Sequence, residues 1–393
     1  MSNFSYYTPT HVYFGRGTQN QVGELVRAQG CKKVLIHYGG QSARRSGLLA
    51  QVEASLDAAG VAHVQLGGVV PNPHLSLVYE GIELCRREGV DFILAVGGGS
   101  VIDSAKAIGY GMCMDGDVWE LYNHTRRATG CLPIGVILTI AASGSEMSDS
   151  SVITKEEGGI KRGYNDDICR PKFAIMNPEL TMTLPDYQTA CGCTDILMHT
   201  MERYFVQGDA MEITDSIAEA LMRTVIKQAK ILRDDPKNYD ARAEVMWAGS
   251  LSHNGLTGCG HDGSDFASHR LEHEMGGMFD VAHGAGLAAV WGSWARYVYQ
   301  NCMPRFVRFA RNVMGVEADL SDDAAALRGI ELMEDFFCSI HMPTCFSELG
   351  IHPTQAQLEE MAHKCYLAVG GLLGSAKKLD EGDMLAIYKM ANH

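Results

Sequence analysis

The chain has 393 residues, 46% of them hydrophobic and 20% charged, with a formal net charge of −14. That is enough chain for about two domains with a large buried core. The acidic balance excludes a general nucleic-acid or anionic-membrane surface, since both reward cationic patches. No apolar run reaches the roughly 18 residues that span a bilayer, and Met1-Ser-Asn-Phe-Ser-Tyr-Tyr7 has no basic region leading into an apolar stretch. The 12 cysteines follow no framework spacing, so a cytoplasmic protein with reduced thiols is expected.

Lys32 to Tyr38 reads as a short strand closed by Gly39 and Gly40. Leu48, Val52, Leu56 and Ala59 recur at helical spacing, and Val61 to Leu66 is a second strand. Pro71-Asn72-Pro73 breaks the chain before a helix over Leu75 to Glu88. Asp91 to Val96 is a buried strand entering Gly97-Gly98-Gly99-Ser100, a third helix follows, and Leu132–Thr139 and Phe173–Met176 are further strands. This alternation predicts a parallel sheet with helices on both faces. From Pro185 long helical patterns take over. Pro185-Asp186 opens one, with the acid near the positive dipole end, and Ile217, Leu221, Val225 and Leu232 carry another to Pro236. The expected organisation is an α/β nucleotide-binding domain over 1–180 and an all-helical domain over 181–393.

Gly97, Gly98, Gly99 and Ser100 stand between a strand and a helix, where glycine lets a backbone approach a diphosphate and the helix N-terminus offers N–H donors. The run is not GxGxxG, and a strand–helix turn also favours glycine for steric reasons alone. Gly39, Gly40, Gln41 and Ser42 form a second turn without an acid to bind an adenosine ribose, beside Arg44 and Arg45. That combination suits a 2′-phosphate; a tight turn with solvated arginines has the same composition.

Asp195 and His199 share a helix face, a spacing that also arises by chance. His269, His273 and His283 fall within fifteen positions in a mostly apolar stretch. One carboxylate with three imidazoles suits Fe²⁺ or Zn²⁺ and can polarise an oxygen. Four histidines are available, and spacing does not choose among them. Cys191 and Glu202 lie on the same ridge as Asp195. The first reads as a buried neutral thiol, and the second as either an acceptor orienting a histidine or a surface charge.

Taken in order, Phe14-Gly-Arg-Gly17, Gly97-Gly-Gly-Ser-Val-Ile-Asp-Ser-Ala-Lys106, Ala142-Ser-Gly-Ser-Glu-Met147, Thr183-Leu-Pro185, Asp195-Ile-Leu-Met-His199, His269, His273 and His283-Gly284 resemble the iron-containing alcohol dehydrogenase family, with its dehydroquinate synthase-like two-domain fold. Tyr38-Gly-Gly-Gln-Ser42 and Pro71-Asn-Pro-His-Leu-Ser-Leu-Val78 resemble its butanol dehydrogenase-like, NADPH-using branch. The resemblance implies that Asp195, His199, His269 and His283 hold one Fe²⁺ or Zn²⁺. His273 is then a non-ligand proton relay near the nicotinamide. It implies that NADP(H) lies on Gly39, Gly40, Gln41, Ser42, Asn72, Gly97, Gly98, Gly99, Ser100, Asp103, Thr139 and Lys161, Gly39 standing where NAD-preferring relatives carry an aspartate. The implied activity is aldehyde reduction and alcohol oxidation on small substrates such as butanal, in a homodimer. A glycerol- or dehydroquinate synthase-like enzyme and a non-catalytic metal- or nucleotide-binding protein are the alternatives. The first should carry a basic cluster near His269–His283, and none is visible. Three positions depart from the branch: Gln41 replaces a glycine, Asn177 an aspartate, and Ser148 an asparagine near the reacting centre.

Overall fold

The computed structural model describes residues 1–208 and 211–393. They form two units, one of Tyr7–Thr183 and one of Leu184–His393 together with Met1–Tyr6. The amide of Ser2 donates to Gly260 O at 3.0 Å. The first six residues therefore go with the helical unit, which corrects the 1–180 segment read from the sequence. Among the described residues, no helix is long and apolar enough to cross a membrane.

The first unit runs β1 (His11–Phe14), α1 (Val22–Arg27), β2 (Lys33–Tyr38), α2 (Ser42–Arg45), α3 (Leu48–Ala58), β3 (Ala62–Leu66), α4 (Leu75–Glu88), β4 (Phe92–Gly97), α5 (Gly99–Met112), α6 (Trp119–Tyr122), β5 (Ile134–Leu138), β6 (Ser150–Lys155), β7 (Ile160–Asn165) and β8 (Phe173–Met176). Six strands make an all-parallel sheet in the order β1-β8-β5-β4-β2-β3. β4, β5 and β8 are buried at every position, which is why they read as unbroken apolar runs. The β6–β7 antiparallel hairpin is polar in composition, Ser150-Ser-Val-Ile-Thr-Lys155, and gave no strand signal.

Strand order locates the ligand crevice. From β2 the chain moves outward to β3, then returns past β2 to β4 and continues to β5 and β8. Connections leaving β2 and β4 therefore diverge, and ligands in open α/β sheets bind at the carboxyl ends of such a strand pair. Register pairs Tyr38 with Val96, so the turns at 39–42 and 97–100 emerge side by side at that switch point.

The second unit is helical: α7 (Asp186–Tyr204), α8 (Glu212–Asp234), α9 (Tyr239–His253), α10 (Ala267–Phe279), α11 (His283–Val298), α12 (Met303–Asn312), α13 (Asp322–Ser339), α14 (Phe346–Leu349), α15 (Gln355–Ala368) and α16 (Glu381–Ala391). Buried ions tie it together away from Asp195 and His199. Arg305 makes a bidentate contact with Asp215 at 2.6 and 2.7 Å and donates to Tyr204 O at 2.7 Å. His261 Nε2 meets the same carboxylate at 3.0 Å. The pairing meets the desolvation cost of a buried acid and fixes the C-terminal end of α7.

Candidate metal centre and nucleotide turns

Asp195 and His199 lie one turn apart on α7, His269 in the first turn of α10, and His283 is the first residue of α11. The first three are buried, at 4%, 3% and 5% exposure. Asp195 Oδ1 is 3.3 Å from His199 Nδ1, 3.4 Å from His269 Nε2 and 3.7 Å from His283 Nε2. Asp195 Oδ1, His199 Nδ1 and His269 Nε2 are buried without a hydrogen bond of acceptable geometry, and all three lie within 4.8 Å of one another. Buried polar atoms are rarely left so. Donors bound at about 2.0–2.2 Å in a tetrahedron stand roughly 3.3–3.6 Å apart. The spacing, the orphaned atoms and the donor chemistry therefore fit one divalent ion such as Fe²⁺ or Zn²⁺.

The local field agrees. Burial alone would raise the Asp195 carboxyl, but the surrounding imidazoles outweigh it and hold the group well below the usual carboxylate range. Burial, with neighbouring positive groups, holds His199 far below an ordinary imidazole, which keeps the ring in the neutral form that a ligand needs. Burial also disfavours charge on His269, yet Glu202 and then Asp195 outweigh it and lift the ring to about 9. A field that retains a proton there attracts a cation.

His273 lies on α10, buried at 7%, its ring 6.1 Å from that of His283; the group whose donor atoms lie within 4.8 Å of one another holds Asp195, His199 and His269 and includes neither His273 nor His283. Cys191 carries a thiol that burial pushes up to about 12, and its Sγ contacts Met342 Sδ at 3.9 Å. Three residues near the centre escaped sequence reasoning. His253 ends α9 with its ring 3.9 Å from that of His199. Phe266 has a left-handed φ of 52° and stacks under Arg203 at 4.9 Å. Glu272 faces His283. None has a local signal, because each is brought in by helix packing.

Gly284 sets how closely α11 approaches α7. A Cβ there would stand 2.2 Å from Cys191 O and 2.7 Å from Cys191 Cα, and backbone does not yield. Gly284→Ala should cost about 3 kcal/mol and lower Tm by roughly 6–12 °C, measured by thermal unfolding of the metal-free protein. An unchanged Tm would mean that the helices do not pack this way.

In the sheet unit the glycine triplet is closely packed. A Cβ on Gly97 would stand 2.4 Å from Val101 Cγ2, on Gly98 2.8 Å from Ile140 Cβ, and on Gly99 2.2 Å from Ser143 Oγ. Sterics alone account for the glycines; their position at the switch point is the further observation. Thr139 N donates to Gly97 O at 3.0 Å, which sets Thr139 beside the triplet, and Ser100 lies in the first turn of α5. Asn72, with φ 54°, precedes Pro73, whose carbonyl accepts from Thr154 N at 2.8 Å. Lys161 is opposite Thr154 in the hairpin, so these two predicted contacts come together. Asp103 is engaged within the protein, accepting from Ser145 Oγ at 2.6 Å and Val152 N at 3.1 Å. Lys106, fully buried, donates to the carbonyls of Ser145, Ser148 and Ser150 at 2.8–2.9 Å. Ser148 thus belongs to this staple between α5 and the loop that follows β5. Asn177 caps the turn after β8, accepting from Glu179 N at 3.1 Å as an aspartate would, and also donates to Gln19 at 3.0 Å. Gln41, Ser42, Arg44 and Arg45 are exposed. Arg44 turns back onto the Tyr38 hydroxyl.

The profile of iron-containing alcohol dehydrogenases matches residues 9–178, and that of the Fe-containing alcohol dehydrogenase C-terminal region matches 189–392. The chain belongs to the iron-containing alcohol dehydrogenase family. It is 39% identical over 390 residues to NADH-dependent butanol dehydrogenase A of Clostridium acetobutylicum, covering 99% of each chain. It is 34% identical to the NADPH-dependent aldehyde reductase YqhD of Escherichia coli, over 89% of this chain and 90% of that one. Among solved structures, NADH-dependent butanol dehydrogenase A of Thermotoga maritima superposes with a TM-score of 0.96 at 36% identity, covering 100% of this chain and 99% of that one. Membership makes this chain a metal-dependent alcohol/aldehyde oxidoreductase with a nicotinamide cofactor and bears out the two-domain fold read from its sequence.

Proposed function

We propose that the protein reduces small aldehydes such as butanal with NADPH, holding Fe²⁺ on Asp195, His199, His269 and His283. The observation that carries the metal reading is the convergence of three buried, unpartnered donor atoms on one point. When bound, the metal supplies Lewis-acid polarisation of a carbonyl and the nicotinamide supplies the hydride. The chain orients the imidazoles through buried acids and presents two adjacent glycine turns to the dinucleotide. An exposed turn without a carboxylate at 39–42 supports NADPH. The NADH dependence named for the Clostridium and Thermotoga relatives favours the opposite preference, so the ratio of kcat/KM for the two cofactors decides. Twelve free cysteines support a cytoplasmic setting. Phe14, 40% accessible at the end of sheet-edge strand β1, and Tyr7, 55% accessible in the segment before that strand, support a homodimer, which sedimentation tests. Elemental analysis after anaerobic purification, paired with NADPH oxidation by butanal, tests the reading as a whole.

His273 is assigned proton delivery: its ring lies 6.1 Å from that of His283, while it is His283 that brings Nε2 within 3.7 Å of Asp195 Oδ1. His273→Ala should keep near-stoichiometric metal and lose about a hundredfold in turnover. Loss of metal in that variant would place His273 among the ligands.

A further inference from the structure

We propose that Glu202 and Glu272 are positioning residues that set how tightly the metal is held, by fixing the rings of His269 and His283. The proposal rests on the metal reading above. An imidazole ligates through an unprotonated nitrogen, so its other nitrogen must carry the proton and needs an acceptor. His269 Nδ1 pairs with Glu202 Oε2, and His283 Nδ1 with Glu272 Oε2. In both rings this leaves Nε2, the atom nearest Asp195 Oδ1, for the metal. Both acids are buried, at 1% and 0% exposure, where a carboxylate persists only with strong partners.

The placement of the acids has a logic. Asp195 and His199 share α7, so the helix itself sets their spacing. The other two ligands arrive on separate helices, and each of those is met by an acid from the preceding ligand-bearing helix. Glu202 of α7 takes His269 of α10, and Glu272 of α10 takes His283 of α11. Glu202 uses both oxygens on one residue, the second accepting the His269 backbone N–H at 3.0 Å, an amide in the first turn that has no partner within its own helix. Glu272 reaches α11 past Gly286, where a Cβ would stand 2.9 Å from Glu272 Cγ. His199 is flanked instead by the rings of His253 and His269, at 3.9 and 4.4 Å.

The test is the affinity of the metal-free full-length protein for Fe²⁺ under anaerobic conditions, and for Zn²⁺, read by competition with a chromophoric chelator. Glu272→Ala and Glu202→Ala should each weaken binding by about 10- to 100-fold. Glu272→Gln, whose amide oxygen still accepts the His283 Nδ1–H, should recover most of that loss; Glu202→Gln, with one acceptor oxygen for two N–H donors, should recover less. Tm of the metal-free variants is measured alongside, because a merely structural acid would lower Tm and leave the affinity of the folded protein unmoved. Glu202 also serves the first turn of α10, so Glu272→Ala is the deciding variant if Glu202→Ala does not fold. Parent-like affinity in folded Glu272→Ala overturns the proposal. A parent that binds neither ion overturns the metal reading itself, a result distinct from variants that match a tight-binding parent.

Discussion

Asp195→Ala is expected to give a folded protein that retains no stoichiometric metal and turns over at least roughly a thousandfold more slowly than the parent. Asp195 is the hub of the centre. Its Oδ1 lies within 3.3–3.7 Å of one nitrogen on each of three imidazoles, and it is the anionic member of the converging donor set. Without it three imidazoles would face one another in a buried space with no anionic donor among them to offset a divalent cation. The fold should survive. α7 is 19 residues long, its C-terminal end is held by Arg305, and His269 and His283 keep their glutamates. The imidazoles outweigh the burial of this acid, so its loss removes a stabilising interaction as well as a desolvation cost, and Tm of the metal-free variant should fall by roughly a few degrees without loss of the fold. Metal content and butanal-dependent NADPH oxidation are measured on the same preparation, with far-UV circular dichroism as the fold control. A metal-free variant with full activity would refute the mechanism.

What the sequence made legible follows from how local each signal is. The helix over Leu75–Glu88 matches the structure to the residue, because its apolar period is strong and Gly89 closes it at φ 67°. Buried parallel strands such as β4 stand out as apolar runs, whereas the half-polar β6–β7 hairpin does not. The same division runs through the metal centre. Asp195 and His199 are visible as a pair because a single helix fixes them. The part played by Glu272 was invisible although it lies three residues after His269, since its partner is at the start of another helix. The first six residues were assigned to the wrong unit because nothing in their composition reports a hydrogen bond to Gly260. The carbonyl of Ser148 accepts from Lys106 at 2.9 Å, a pairing that no spacing rule encodes.

Gly39→Asp should reverse the cofactor preference. Gly39 directly follows β2, next to the strand that delivers Gly97–Ser100. The substitution is sterically admissible. Gly39 is not among the positive-φ glycines, and a Cβ there would meet Val69 O at 3.4 Å and Val101 Cγ2 at 3.7 Å, ordinary contacts. An effect can therefore be assigned to charge and not to a broken turn. If the adenosine ribose lies on 39–42, a carboxylate at Gly39 would repel a 2′-phosphate and accept a hydrogen bond from a 2′-hydroxyl. Like charges brought together in a partly desolvated site cost several kcal/mol, so kcat/KM for NADPH should fall about a hundredfold or more while that for NADH holds or rises. Arg44 does little to soften this, since its guanidinium is turned onto the Tyr38 ring, 5.5 Å from the centroid. Both cofactors are measured with both proteins at one ionic strength, because screening weakens the effect. A parent that already prefers NADH, as the names of its Clostridium and Thermotoga relatives indicate for those enzymes, would remove the NADPH assignment. An unmoved ratio in the variant would show that this turn does not read the ribose at all.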